Sequence, residues 1–204
     1  MAITYPVALP TGIPFQSSRI KLDFHKSTFE SISRHKTRQS WNEGKTDRWI
    51  GVYTTPKLNN TQLRLMSSWM RSMIDDNGSF YAVDFDNTEP AATVTGTPLV
   101  NGASQTGKQL ITDGWALSTT VLSAGDRIQV GSQYFEIKED ATTDGSGNVT
   151  LEIMPAIRTS PADNAPIITS NPKMIAKLSS IENTVDTDHT KTGVISFAWE
   201  EEID

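Results

Sequence analysis

Asn60-Thr61-Gln62-Leu63-Arg64-Leu65-Met66-Ser67-Ser68-Trp69-Met70-Arg71-Ser72-Met73-Ile74-Asp75-Asp76-Asn77-Gly78-Ser79-Phe80-Tyr81-Ala82-Val83-Asp84-Phe85 joins a helical pattern to a strand pattern. Leu63, Met66, Met70 and Met73 recur at spacings of three and four, with Leu65 and Trp69 widening the stripe, so one face of a helix is expected to be buried. Asn60 or Thr61 can cap its start, because a short side-chain oxygen accepts from backbone N–H groups two or three residues on. The spacing predicts a helix over 61–77 ending at Asn77-Gly78, where Gly accommodates a left-handed backbone. The run from Ser79 to Phe85 then has strand composition. No comparable helical pattern occurs elsewhere, so the helix is expected to lie across a sheet built by the segments on either side.

Those segments read as strands. Tyr5 to Pro14 is an extended arm, since Pro6, Pro10 and Pro14 block helix and central-strand pairing. Arg19 to His25 alternates polar and apolar residues, Phe29 to Ser33 can continue it, Arg38 to Trp41 is a second strand, and Thr46 to Thr54 a third. Near the end of the chain, Met174 to Leu178 and Gly193 to Trp199 read as strands that rejoin the first sheet.

Between them, after Glu89-Pro90, Gly, Ser, Thr, Asp and Asn dominate and no helical period is found. Arg127-Ile128-Gln129-Val130 and Gln133-Tyr134-Phe135-Glu136-Ile137-Lys138 flank Gly131-Ser132, a hairpin signal. Asp144-Gly145-Ser146-Gly147 is a second turn, followed by alternating Val149, Leu151 and Ile153, and Ser160 to Pro166 is an exit linker. The expected fold is mainly β with one principal α-helix: an antiparallel β-sandwich main domain from 1–90 and 169–204, carrying a small all-β insertion lobe at 91–168.

The 204 residues are enough for a sizeable core, while 36% apolar content suits a thin β-structure or a subunit that completes its burial against neighbours. The absence of cysteine excludes disulfides, Cys-ligated zinc and a Cys nucleophile. The opening residues carry no secretion signal and no stretch approaches the roughly 20 apolar residues of a membrane span, so a soluble protein made in the cytoplasm, with no membrane anchor, is expected. The net charge of −6 is unevenly spread. Arg19 to Arg48 holds eight Lys or Arg against four acids, Ile74 to Glu89 holds five acids and no base, and Glu182 to Asp204 holds seven acids and one base. Such asymmetry marks solvated faces or complementary interfaces.

Three stretches invite a catalytic reading. Gly102-Ala103-Ser104-Gln105-Thr106-Gly107-Lys108 has the glycine and lysine spacing of a phosphate-cradling loop, but Gln109 stands where a magnesium-binding hydroxyl is needed and no helix follows. Val83-Asp84-Phe85-Asp86-Asn87-Thr88 resembles the first motif of haloacid-dehalogenase-type phosphatases, with a nucleophilic and an acid/base carboxylate beside magnesium. The matching Lys and acidic pair are missing, and Glu89-Pro90 stops the helix that would follow. Asp144 to Asn148 has calcium-loop residues without the closing Glu or flanking helices, which makes it a hairpin turn. His25, His35 and His189 have no metal-ligand spacing, the sequons at Asn59, Asn77 and Asn148 need a secretory route, and the basic region 19–48 has no nucleic-acid motif. No catalytic, cofactor-binding or metal-ligating residue is assigned, and the chain is not expected to be an enzyme.

The whole-chain arrangement resembles distal tail proteins of long-tailed bacteriophages. The residues that carry the likeness are the Pro-rich arm, Ser18 to His25, Gln39-x-Trp41, Arg48-Trp49 running to Pro56-Lys57-Leu58, and the helix with Gly78-Ser79-Phe80-Tyr81. In the lobe they are Gly102 to Gly107, Asp113-Gly114-Trp115, Ala124 to Gly131, Asp144 to Asn148 and Ser160 to Asp163. The resemblance implies a structural virion protein at the tail tip: a homo-hexameric ring joining the tail tube protein to the hub, fibres and other tail-tip proteins, with DNA only as cargo passing through. The alternative from the residues is a carbohydrate-binding β-module in which an exposed Trp115 or Tyr134 stacks on sugar.

Overall fold

The computed structural model describes residues 4–24, 27–30, 38–41, 45–179, 184–187 and 191–203. His25, His35 and His189, and the end of the expected Phe29 to Ser33 segment, lie outside them. In chain order the strands and helix are β1 Ser17–Asp23, β2 Ser27–Glu30, β3 Arg38–Trp41, β4 Arg48–Thr54, α1 Asn60–Asp75 and β5 Ser79–Val83. There follow β6 Gly96–Val100, β7 Gly107–Trp115, β8 Thr120–Leu122, β9 Arg127–Val130, β10 Gln133–Ile137, β11 Ala141–Thr142, β12 Val149–Ile157 and β13 Ile167–Ile168. The last are β14 Lys173–Leu178, β15 Thr184–Thr187 and β16 Gly193–Glu201. The fold is mainly β with antiparallel sheets and, among the described residues, one α-helix.

The chain divides into two compact units, one of Met1–Lys21, Trp49–Thr88 and Pro172–Asp204, the other of Leu22–Arg48 and Glu89–Asn171. The β2–β3 hairpin, Ser27 opposite Trp41, therefore groups with the lobe rather than with the flanking segments.

In the first unit the sheet order is β1-β4-β16-β14-β5, with β15 also on β16. Its core face carries Trp49, Tyr53, Phe80, Met174, Ile195, Phe197 and Trp199, all buried, and α1 presents Leu63, Met66, Met70 and Met73 to it. The helix starts at Asn60, one residue before the predicted 61, and its cap is Asn59 rather than Asn60 or Thr61. Asn59 Oδ1 accepts from Gln62 N at 3.0 Å and Gln62 Oε1 accepts from Asn59 N at 3.2 Å, a reciprocal capping box that only Asn59 and Gln62 have the spacing to form. It also ends earlier than predicted, at Asp75. Asn77 takes the left-handed conformation (φ 49°), and Gly78 N donates back to Met73 O at 2.8 Å, which closes the last turn. Leu65 does not widen the buried stripe, because two residues past Leu63 lies about 200° round the helix; it is 48% exposed. Trp69 flanks the stripe, its ring 5.2 Å from Phe80 and 5.8 Å from Phe197.

β5 stops at Val83, short of the predicted Phe85. The Tyr53 hydroxyl donates to Val83 O at 2.6 Å and accepts from Val83 N at 2.9 Å, satisfying the outward-facing backbone groups of the last β5 residue.

In the second unit the sheet runs β13-β9-β10-β12-β7-β6, and its two edges meet at a bridge between Leu99 and Pro166. Val100 N donates to Ala165 O at 3.0 Å and Asn164 N to Val100 O at 2.9 Å, so the sheet nearly closes on itself. Inside lie Val100, Leu110, Leu122, Ile128, Phe135, Ile137, Leu151, Ile153 and Ile157. The β9–β10 hairpin forms at the predicted Gly131-Ser132 turn, with Gly131 at φ 60° and Arg127 of β9 ion-paired across to Glu136 of β10.

Met70 is 4% exposed, so Met70→Ala removes buried volume from the helix–sheet contact and is expected to cost roughly 2–5 kcal/mol. Leu65→Ala is expected to stay within about 0.5 kcal/mol. Denaturant melts of the two variants check both values, and a larger loss for Leu65→Ala than for Met70→Ala would place the helix the other way round.

Candidate functional site

The phosphate-loop candidate is filled by its own side chain. Gln105 Nε2 donates to the carbonyls of Asn101, Gly102 and Ile111 at 2.8, 2.9 and 3.0 Å, and its Oε1 accepts from Ile111 N at 2.7 Å. Gly102 N–H points to a carboxylate oxygen of Asp163 at 2.8 Å. The centre of the loop is thus occupied by an amide and an N–H that a phosphate would need is taken by an acid. Lys108 lies in β7, so no helix N-terminus faces the loop.

Asp84 is 5% exposed and closes the exit from β5, accepting from Asp86 N at 3.2 Å and from Asn87 Nδ2 at 2.9 Å. Such a turn is a sufficient reason for Asp at this position. Asp144 does the same for the turn into β12. Its carboxylate accepts from Asn148 N at 2.9 Å, Asn148 Nδ2 at 3.0 Å and Ser146 N at 2.8 Å. These bonds, the one from the Asn148 backbone foremost, hold its carboxyl below the ordinary range.

A groove of about 590 Å³ opens beside that turn, lined by Ile111, Glu139, Asp140, Asp144, Asn148, Thr150 and Glu152 among others. Of its four acids, Asp140 and Glu152 are committed as Asp144 is, and Glu139 is exposed. Asp140 accepts from Ala124 N at 2.9 Å, and Glu152 takes Gln109 Nε2 at 2.5 Å with Lys138 Nζ at 3.8 Å. Among the described residues no group of three or more His, Asp or Glu is placed to hold a metal ion. The two aromatic side chains of the carbohydrate reading are buried, Trp115 at 4% and Tyr134 at 0% exposure, and the Trp115 indole N–H donates to Thr112 Oγ1 at 2.8 Å. Neither presents a ring face to a sugar. The sequon residues are similarly in use: Asn59 caps α1, Asn77 supplies its left-handed end, and Asn148 braces Asp144.

What is built with most care, within the first unit, is the seat of the N-terminal arm. Val7 lies parallel to β5, its N donating to Ser79 O at 3.0 Å and its O accepting from Tyr81 N at 2.9 Å. The Tyr5 ring lies over Gly78, where a Cβ would run into it, and its hydroxyl donates to Asp76 Oδ2 at 2.6 Å. Gly12 O accepts from Gln62 Nε2 at 3.0 Å, Ile13 is buried, and Gln16 N donates to Thr54 O at 2.8 Å as the chain enters β1. Gly78 is thus needed for close approach, while the left-handed turn falls to Asn77. The sequence signal for the seat was the surplus of two turn residues, Asn77 and Gly78, where one suffices.

At the opposite edge β1 pairs, among the described residues, β4 alone and carries exposed Arg19 and Lys21. Of the acids that could face such an edge, Glu201 is buried and accepts from Trp49 N at 3.0 Å, and Glu202 pairs with Lys177 at 2.7 Å. Asp75 and Asp76 stand exposed at the C-terminal end of α1, whose last turn holds no basic residue.

Hydrogen bonding to Asp76, helped by the nearby negative charge, raises the Tyr5 phenol from the ordinary 10.0 to about 12. The sign follows: stability from this contact is fully present below the ordinary phenol value and is lost as pH rises through about 12. Tyrosinate absorbance should show a late-titrating component that moves back toward 10.0 in Asp76→Asn. An unmoved titration would mean that the arm is not seated on Asp76. Assays with magnesium should find neither phosphatase nor ATPase turnover, and turnover abolished by Asp84→Asn or Lys108→Ala would overturn the structural reading of both loops.

No protein-family model matches the chain, and no curated protein matches it.

Proposed function

We propose that the chain is a structural subunit of a ring at the distal end of a bacteriophage tail, joining tube to hub and fibres around the DNA exit channel. The resemblance described above supplies the identity of the assembly. The observation that carries the assembly itself is the mismatch at the two ends of the first unit. α1 ends in Asp75 and Asp76 with no base in its last turn, although a helix C-terminus already bears about half a negative charge. Such an end favours a cation, and β1 offers Arg19 and Lys21 on a strand edge that no other described strand pairs. One face cationic and another anionic on the same subunit suits head-to-tail contacts, which close into rings when the rotation permits. Partners are further copies of the chain and the tail proteins above and below it. The fold contributes rigidity and complementary edges, and no chemical step is required of it.

Contacts between exposed charges weaken as the Debye length falls from about 10 Å at 0.1 M salt to about 3 Å at 1 M. Rings of the purified protein are therefore expected to dissociate to folded monomers across that range, read by sedimentation velocity with circular dichroism alongside. Arg19→Glu should disassemble them at low salt, and Asp75→Lys in the same chain should restore part of the assembly. Rings indifferent to salt and to both charge changes would show that apolar contacts hold the interface. Monomers at every salt concentration would remove the ring reading.

A further inference from the structure

We infer that the β5 edge beside Gly78 is a strand-acceptor site, and that in assemblies its occupant is Tyr5-Pro6-Val7 of a second copy of this chain. The seat is shaped for that peptide. It offers the backbone of Ser79 and Tyr81 for a parallel rung, a bare Gly78 for the aromatic ring and the Asp76 carboxylate for the hydroxyl. All three contacts lie on the N-terminal side of Ala8, whereas Gly12 and Gln16 fasten the rest of the arm to Gln62 and Thr54 independently, with Ile13 buried between them. Withdrawal of Tyr5 to Val7 leaves the core of the unit intact and exposes one strand edge, which favours strand addition.

Identical chains present identical arms and seats, so exchange repeats every contact and requires only a change of connection. Ala8, Thr11 and Gly12 in the connector are exposed, with Gly12 at φ 77°. The five residues 8–12 span at most roughly 17 Å when extended, which sets how near the second seat has to be. In an isolated chain the arm folds back, because its own seat is always at hand. Between copies held side by side, a neighbouring seat competes on equal terms through its effective concentration. The inference does not depend on the copies forming a ring or on a phage origin.

The chain has no cysteine, so single introduced thiols can be cross-linked without background. Full-length Tyr5→Cys and Asp76→Cys proteins, each checked by circular dichroism, would be mixed under assembling conditions and treated with a short linker reactive to two thiols. Exchange predicts a covalent heterodimer that is lost when Val7→Pro is added to the Tyr5→Cys chain, since proline removes the N–H that Ser79 O accepts. The doubly substituted Tyr5→Cys, Asp76→Cys chain should likewise give linked oligomers as well as closed monomers. Closure within monomers alone, with no heterodimer from the mixture, would overturn the inference. A heterodimer that persists with Val7→Pro would also overturn it, by showing proximity without strand addition.

Discussion

The first unit depends on β16 being laid between β4 and the β14–β15 edge. Residues 193–201 come from the end of the chain, yet they pair Ser196 with Thr54, Phe197 with Tyr53 and Trp199 with Gly51 on one side. On the other they pair with β14 and β15. Pairing continues past β4: Ile195 N donates to Thr55 Oγ1 and Thr55 N to Ile195 O, and Leu58 and Gly193 exchange both backbone bonds. That continuation delivers the chain to Asn59, the residue that caps α1. The strand therefore fixes where the helix begins as well as how the two sides of the sheet are joined. Gly51 is the local condition for it. Trp199 lies across the backbone of β4 with its indole where a Gly51 side chain would be, and its ring centroid stands 5.4 Å from Tyr53. Phe197, Phe15 and Trp69 extend that contact toward the helix. Non-local pairing of this kind is gained only after a large loop has been closed.

The sequence was informative wherever one periodic face met one core. The buried positions of α1, the β9–β10 hairpin and the rejoining strands β14 and β16 all follow from spacing, because burial of every third or fourth, or every second, residue leaves a direct mark on composition. Helix ends were legible to within one or two residues and no better. Asn59, Asn60 and Thr61 are each competent caps by type, and only the bond that Asn59 N donates to Gln62 Oε1 distinguishes Asn59. β6, β7 and β8 were not distinguished from turns. In β7 the buried Leu110 and Thr112 and exposed Ile111 do follow period two, yet Thr and Asp among them hide the alternation, since Thr112 is buried through its bond to Val149 O.

The catalytic motifs failed for a related reason. A short motif specifies residue types, whereas chemistry requires their polar atoms to be free and convergent. Gln105, Asp84, Asp144 and Glu152 are all polar groups in suggestive surroundings, and each spends its capacity on backbone or neighbouring donors of its own unit. In a Gly- and Thr-rich lobe with many turns this is the ordinary requirement that buried or half-buried backbone groups find partners. The same economy explains Trp115, which sequence composition suggested as a display residue and which the small barrel needs as core, while Tyr134 is buried on the face of β10 opposite Phe135 and Ile137.

In the first unit, charged groups and strand backbone stand exposed or covered at edges and ends. β1 is an edge strand with cations on it, α1 ends in acids without a compensating base, and β5 is covered on its outer side by a terminal peptide rather than by a strand of the sheet. Sheet edges left open invite pairing with other chains, so a protein that is to remain unassembled blunts them by charge or cover. Here charge serves one edge and the arm the other, and the two protections differ in kind. Charge is neutralised by a complementary surface, whereas an arm is displaced only by an equivalent peptide. An interface built on both would respond to salt through the first and to copy number through the second, which separates how such subunits meet from how they are fastened once they have met.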